Sequence, residues 1–408
     1  MREKVSIVVP AYNAENTIEK CVMSIAMQDY PEKEIIVVND GSADGTEKVL
    51  NELRGRVNEL VVISKRNGGV SSARNAGINA ATGRYLITID GDDYIDPGMI
   101  TALVDAMNCR NGVTATGYSS GIEKAEDTAT IEKENNKIDG DSKSADGGFN
   151  KGNVPERIDV AMCGMKYVES TDKESFGHKE AGGNTETNAA LNADCDKTRV
   201  TVQELKVTGK FNPPEEGVFS KREFLKKHFP KMYDDHLITT HSNKLYDLDI
   251  IRKQELRYDE GMKINEDIDF VFRYLEKCEG VVLIKGEYMN YVQHAAGESL
   301  VSTYQSHGLS SALTVIKDYY DLFGNEPTDE MNQRMFVHVL SFAGLMYKNP
   351  EISNDERKKA IEGMLSDDGF KRLVEMVKPY DLKTTAAKMV LRTGNSKLYH
   401  LMCKCIYR

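Results

Sequence analysis

The chain contains no tryptophan, which removes the Trp-lined platform used by many carbohydrate binders. Its seven cysteines (21, 109, 163, 195, 278, 403 and 405) are odd in number and form no CxxC pair. Cys403-Lys404-Cys405 has no histidine partners and makes a weak metal site, so the chain reads as reduced and cytoplasmic. No stretch approaches the ~20 apolar residues of a bilayer span. The apolar run 5–9, behind Met1-Arg2-Glu3-Lys4, is too short for a secretory signal. Membrane contact is therefore expected to be peripheral, at the inner face of the plasma membrane. Positive charge is also scarce: 53 Lys and Arg face 64 Asp and Glu, a net charge of −11 that argues against a nucleic-acid partner. What is present, 408 residues with 40% hydrophobic and 29% charged, is ordinary globular usage with room for two or three domains.

The first hundred residues alternate short β-rich runs (5–9, 34–38, 60–63, 84–89) with helical stripes: Ile18, Cys21, Val22 and Ile25; Val49, Leu50 and Leu53; Ala73, Ala76 and Ala80. Alternation of this kind predicts an α/β fold with a doubly wound, mostly parallel sheet flanked by helices. Residues 111–155 and 169–196 carry too little apolar surface to order themselves and read as exposed insertions. A buried strand resumes at 158–164. A helix follows at 265–275 with Ile268, Val271, Phe272 and Leu275 on one face, then short strands at 281–284 and 288–292, and a helical region beyond Gly308.

In doubly wound sheets ligands bind at the carboxyl ends of the strands. The first strand here ends in Pro10-Ala11-Tyr12-Asn13, the second at Asp40, and the fourth in Asp90-Gly91-Asp92-Asp93. A dinucleotide site fails because the turn Ala11-Tyr12-Asn13-Ala14-Glu15-Asn16 has no glycine. A calcium loop fails because Ile95 stands where its sixth position requires glycine. The surviving reading is a hard cation, Mn²⁺ or Mg²⁺, held by one or two carboxylates and completed by substrate phosphates.

Four segments in order, 6–13 (SIVVPAYN), 37–42 (VVNDGS), 67–75 (NGGVSSARN) and 90–93 (DGDD), resemble the signature of family-2 glycosyltransferases, of the kind that builds bacterial polysaccharides. The resemblance is close over residues 1–110 and looser from about 156 to 305. It implies the GT-A fold, with a nucleotide-sugar-binding half at 1–110, the polar insertion at 111–155, an acceptor-binding half at 156–305, and a helical region with a basic tail at 306–408. It implies that Asp40 accepts the N3–H of uracil while Pro10, Ala11, Tyr12 and Asn13 border the base. Arg74 reaches base or phosphates, and Asn75 fixes the loop. Asp90 and Asp92 form the DxD, with Asp92 and Asp93 nearest ribose and metal.

Asn265-Glu266-Asp267 opens a helix, with Asn265 in the N-cap position. A carboxylate in the first turn is stabilised in its ionised form by the helix end. The family's "ED" motif falls here and implies Asp267 as general base, with Glu266 supporting the acceptor. Where relatives carry an arginine, this chain reads Tyr291-Val292-Gln293-His294-Ala295-Ala296-Gly297-Glu298-Ser299; His294 is a candidate metal or diphosphate ligand, and Ser299 a candidate contact.

Beyond Asp381 there is no acid, while Lys383, Lys388, Arg392, Lys397, Lys404 and Arg408 interleave with apolar residues. That pattern suits either an anionic membrane surface or docking on the acidic body. The expected activity is inverting transfer from a UDP-sugar to a glycan or lipid-linked acceptor. The competing readings are a sugar nucleotidyltransferase, which needs a Gly-rich basic loop this chain lacks, and a nucleotide-sugar-binding protein with decayed catalysis.

Overall fold

The computed structural model describes residues 2–108, 155–170, 205–293, 307–324 and 326–406. Most of both polar insertions, along with His294 and Ser299, lies outside these residues. In chain order the elements are β1 (Val5–Ala11), α1 (Ile18–Ala26), β2 (Lys33–Asn39), α2 (Thr46–Arg54), β3 (Leu60–Ser64), α3 (Val70–Ala80), β4 (Tyr85–Thr88), β5 (Tyr94–Ile95) and α4 (Met99–Asn108). The second half contributes β6 (Val160–Ser170), β7 (Leu205–Phe211), β8 (Gly217–Ser220), α5 (Lys221–Lys227), α6 (Phe229–Asp234), β9 (Lys244–Asp247), α7 (Leu248–Lys253), α8 (Glu266–Glu276) and β10 (Gly280–Gln293). Six helices follow: α9 (Gly308–Phe323), α10 (Asp329–Lys348), α11 (Asn354–Ser366), α12 (Asp368–Met376), α13 (Leu382–Arg392) and α14 (Ser396–Ile406).

One sheet runs β3-β2-β1-β4-β9-β6-β10-β5, with β7 on β6 and β8 on β10. The four strands from β3 to β4 are parallel, as is β6 with β10; β9, β5, β7 and β8 pair antiparallel. The apolar runs at 5–11 and 33–39 are buried along their whole length, as strands covered on both faces must be. Because β9 inserts between β4 and β6, the second half of the chain extends the first half's sheet. A single apolar core runs from Val5 to Cys403.

Two expectations need correction. The strands read at 281–284 and 288–292 are one strand, β10, whose register against β6 shifts between Leu283 and Met289 around Gly286 at φ 121°. Hydrophobic runs interrupted by a bulge look like two strands in sequence. Asn265 does occupy the N-cap position of α8, but in a left-handed conformation (φ 65°) and with no side-chain capping bond. The amphipathic stripe of α8 is buried as read, and Phe270 and Tyr274 are buried besides, so the helix is covered nearly all round.

α3 lies unusually close to the sheet. A Cβ at Gly77 would stand 2.3 Å from Val8 Cγ1, whereas nothing lies within 4 Å of one at Gly363 in α11. Overpacking a core costs about 1–3 kcal/mol, more than the ~1 kcal/mol that alanine gains over glycine in a helix. Gly77→Ala should therefore lower the urea midpoint. Gly363→Ala should raise it, by up to about 1 kcal/mol. Equal effects would contradict the packing.

Candidate active site

The parallel strands deliver three loops to one edge of the sheet: Ala11 to Asn13 after β1, Asp40 to Ser42 after β2, and Asp90 to Asp93 after β4. The first two are sewn together, since Asp40 N donates to Ala11 O (2.8 Å), Asn13 N to Ser42 Oγ (3.0 Å) and Ala43 N to Asn13 Oδ1 (2.9 Å). Pro10 and Ala11 are buried, and Tyr12 stands 55% exposed at the rim. Gly91 permits the acidic turn to lie on the end of β1, where a Cβ would come within 2.9 Å of Pro10 O.

Asp40 is buried and its carboxylate is engaged. Lys65 Nζ donates to Oδ1 (2.6 Å), Gly69 N to Oδ2 (2.7 Å), and Gly68 N is shared between the two oxygens (3.0 and 3.1 Å). Here it organises the turn that opens α3, with three donors on a carboxylate that can accept about four. Lys65 was not singled out from the sequence, because nothing in spacing signals a partner 25 residues from Asp40.

Arg74, expected at base or phosphates, bridges two acids in this structure. It is buried; Nη2 donates to Asp90 Oδ1 (2.7 Å) and Nη1 to Glu266 Oε1 (3.0 Å), residues from opposite halves of the chain. Its guanidinium also lies over the Tyr258 ring at 5.0 Å. Asn75 fixes a loop, as expected: it donates to Tyr258 O (2.9 Å) and Glu260 Oε1 (3.1 Å) and accepts from Tyr258 N (2.8 Å).

The acids around Arg74 share one cleft and differ in charge state. Burial alone would raise Asp90, but Arg74 and then His241 override it and hold the carboxyl well below the usual range. Asp93, buried and beside Asp92 and Asp90, is pushed well above it. Asp93 Oδ1 accepts from Val292 N (2.8 Å), while Oδ2 is buried without a hydrogen-bond partner. Asp267 is pushed up to about 7 by burial and then by the neighbouring Glu266 charge, against the pull of Arg74. The expected ionisation by the helix end is therefore outweighed: Asp267 accepts from Ile268 N (2.8 Å), yet desolvation dominates.

A divalent cation can be tested against these residues. Asp90, Asp92 and Asp93 crowd into four positions, and an unpartnered buried carboxylate oxygen on Asp93 is what such an ion would relieve. Among the described residues, however, no three His, Cys, Asp or Glu side chains form a group able to hold a metal. The fit is to an ion taking one or two carboxylates here and its other oxygens from a diphosphate.

Two further residues have no role of their own in the sequence reading, although Asn243-Lys244-Leu245-Tyr246 resembles a segment of related transferases. His241 is buried with both ring nitrogens unpartnered, Nε2 standing 3.6 Å from Asp90 Oδ1. Lys244, wholly buried, donates to Leu237 O (2.6 Å), Asn243 Oδ1 (2.7 Å) and Thr240 O, tying down the turn that carries His241. Only their position around Asn243-Lys244-Leu245-Tyr246 could have drawn attention to them.

An α/β sheet of this topology, with clustered acids at its strand ends and an acidic helix start bridged to them through Arg74, is that of the GT-A fold. Residues 6–156 match the family model described as Glycosyl transferase family 2. It is 45% identical over 101 residues to the uncharacterized glycosyltransferase EpsJ of Bacillus subtilis strain 168, covering 25% of this chain and 29% of that one. Over 96 residues it is 43% identical to the chondroitin synthase of Pasteurella multocida strain Pm70, covering 24% and 10% respectively. The aligned stretch is thus under a third of either relative. The crystal structure of S. aureus TarS 1–349 in complex with UDP-GlcNAc superposes with a TM-score of 0.56 at 17% identity, covering 99% of this chain and 91% of that one, a likeness of fold.

Proposed function

We propose that this chain is a glycosyltransferase that moves a sugar, with inversion, from a UDP-sugar to a hydroxyl of a glycan or lipid-linked acceptor. The observation that carries the reading is Arg74, whose two bonds to Asp90 and Glu266 bring the DxD and the ED acids into one cleft. A UDP-sugar donor is supported by the likeness of fold to TarS, whose structure was determined in complex with UDP-GlcNAc.

In this mechanism Asp267 takes the proton of the acceptor hydroxyl as its oxygen bonds to the anomeric carbon. The bond from that carbon to the diphosphate breaks, and UDP leaves. Glu266 orients the acceptor. Asp92, with Asp93, would hold Mn²⁺ or Mg²⁺, an ion that would supply charge neutralisation to a diphosphate. Pro10, Ala11, Tyr12 and Asn13 border the base, and Asp40 reads uracil by exchanging its Lys65 contact for the N3–H. The third metal candidate, His294, stays a proposal from sequence.

Asp267 acts only when deprotonated, so kcat/KM should rise with pH to a plateau above about 7 and fall about tenfold per unit below it. Asp267→Asn should lower turnover by roughly 10²–10⁴ with UDP binding nearly intact. A panel of UDP-sugars assayed with Mn²⁺ or Mg²⁺, and with chelator, tests both. Unchanged turnover in the variant removes Asp267 from the role, and full activity in chelator removes the ion.

A lipid-linked acceptor is supported by the C-terminal helices. They dock through Ala387, Leu391, Tyr399 and Cys403 while Leu382, Met389, Leu398 and Leu401 face outward. Seven of the fourteen exposed large hydrophobic side chains of the described residues fall within 376–406, where no acid follows Asp381. Docking on the body and contact with a surface are thus opposite faces of the same helices. No helix among the described residues is long and apolar enough to cross a membrane, so the contact is peripheral, with anionic lipid. The protein should float with phosphatidylglycerol vesicles and not with phosphatidylcholine ones, and Leu398→Ser with Leu401→Ser should abolish this. Failure to float with either would overturn the contact.

A further inference from the structure

β10 carries an aromatic side chain into the cleft that the acids line. The hydrogen bond from Val292 N to Asp93 Oδ1, at 2.8 Å, pins the preceding residue, Tyr291, beside the DxD. Tyr291 is 37% exposed, more than a core tyrosine would be. Its charged neighbours are Asp93, Asp90, Asp92 and Asp267, the acids assigned above to donor and base. Behind it the rings continue. Tyr167, its register partner on β6, lies 5.4 Å away centroid to centroid, and Phe211 of β7 lies 4.9 Å beyond Tyr167. A Cβ at Gly209, opposite Tyr167, would stand 2.8 Å from the Phe211 ring, so glycine leaves the rings room.

A pyranose has one face rich in C–H groups and a rim of hydroxyls. Laid against an exposed phenol ring, it buries the apolar face and leaves a hydroxyl free to meet a carboxylate. A phosphate would fare worse here, facing four acids. Arg74 is committed to Asp90 and Glu266, and the nearby strand lysines Lys166 and Lys210 are paired with Asp96 and Glu287.

We propose that Tyr291, backed by Tyr167 and Phe211, is the wall on which the acceptor's terminal pyranose stacks, so that the acceptor end is a sugar ring and not a polyol phosphate. The proposal rests on the transfer reading for the name acceptor; the binding of a ring at this wall does not.

The test is saturation-transfer NMR on the full chain, with methyl glycosides of glucose, galactose and N-acetylglucosamine as probes against ribitol 5-phosphate. It is run with and without UDP and Mn²⁺, and thermal unfolding verifies each variant's fold. At least one glycoside should bind, with Tyr291→Ala weakening it up to about tenfold and Tyr291→Phe retaining it. Tyr167→Ala, which removes the backing ring, should weaken it also. Glycoside binding equal to wild type in both alanine variants overturns the wall, as does binding of ribitol 5-phosphate with no glycoside bound. Failure of UDP to bind is a separate result: it strikes the donor reading, while the glycoside signals still report on the wall.

Discussion

The site depends on one buried guanidinium. Arg74 accounts for the coexistence of Asp90 and Glu266, two acids 176 positions apart that would otherwise repel across a cleft sheltered from water. A planar fork with separate donors can serve two carboxylates in fixed directions, which a lysine's single ammonium does less well. Removing one partner from such a pair leaves an uncompensated charge, typically costing about 3–5 kcal/mol. The same contact joins the loop after β4 to the start of α8, so the two halves of the chain meet through a charge network as well as through a shared sheet.

Around that centre, equal chemistry gives unequal charge. Asp90 is held ionised by Arg74, Asp93 is driven towards its protonated form by burial and its neighbours, and Asp267 sits near neutrality. A proposed base that releases its proton near pH 7 is placed where acid and base forms are both accessible. The second half of the chain supports this arrangement from below. Lys244 spends all three ammonium donors on the turn that bears His241, and Tyr258 packs flat on Phe270 of α8 at 4.2 Å while lying under Arg74.

Much of this was legible in the chain. The apolar runs of β1 and β2 and the stripes of α1 and α8 follow period and length, and the acids at the strand ends are named by their position after those runs. What escaped was what tertiary pairing decides. The motifs of Asp40 and Arg74 place both beside the strand-end edge, but their protein partners Lys65, Gly68, Gly69 and Glu266 are fixed by folding and carry no spacing rule. Asn265 occupies a cap position in sequence, but its left-handed backbone turns the side chain away from capping. His241 and Lys244 have no periodic signature, since a buried polar network follows from which turn meets which strand. The missing tryptophans excluded one kind of platform, and the tyrosines of β6 and β10 became visible as another only once register placed them together.

The coupling of Asp90 and Glu266 through Arg74 is tested most directly by a double-mutant cycle. Asp90→Asn, Glu266→Gln and the double variant would be compared for affinity towards UDP with Mn²⁺ by calorimetry. If both acids bias one guanidinium, the two effects will depart from additivity by about 0.5–3 kcal/mol. Additivity within about 0.5 kcal/mol would mean that the two acids act independently and that Arg74 does not link them.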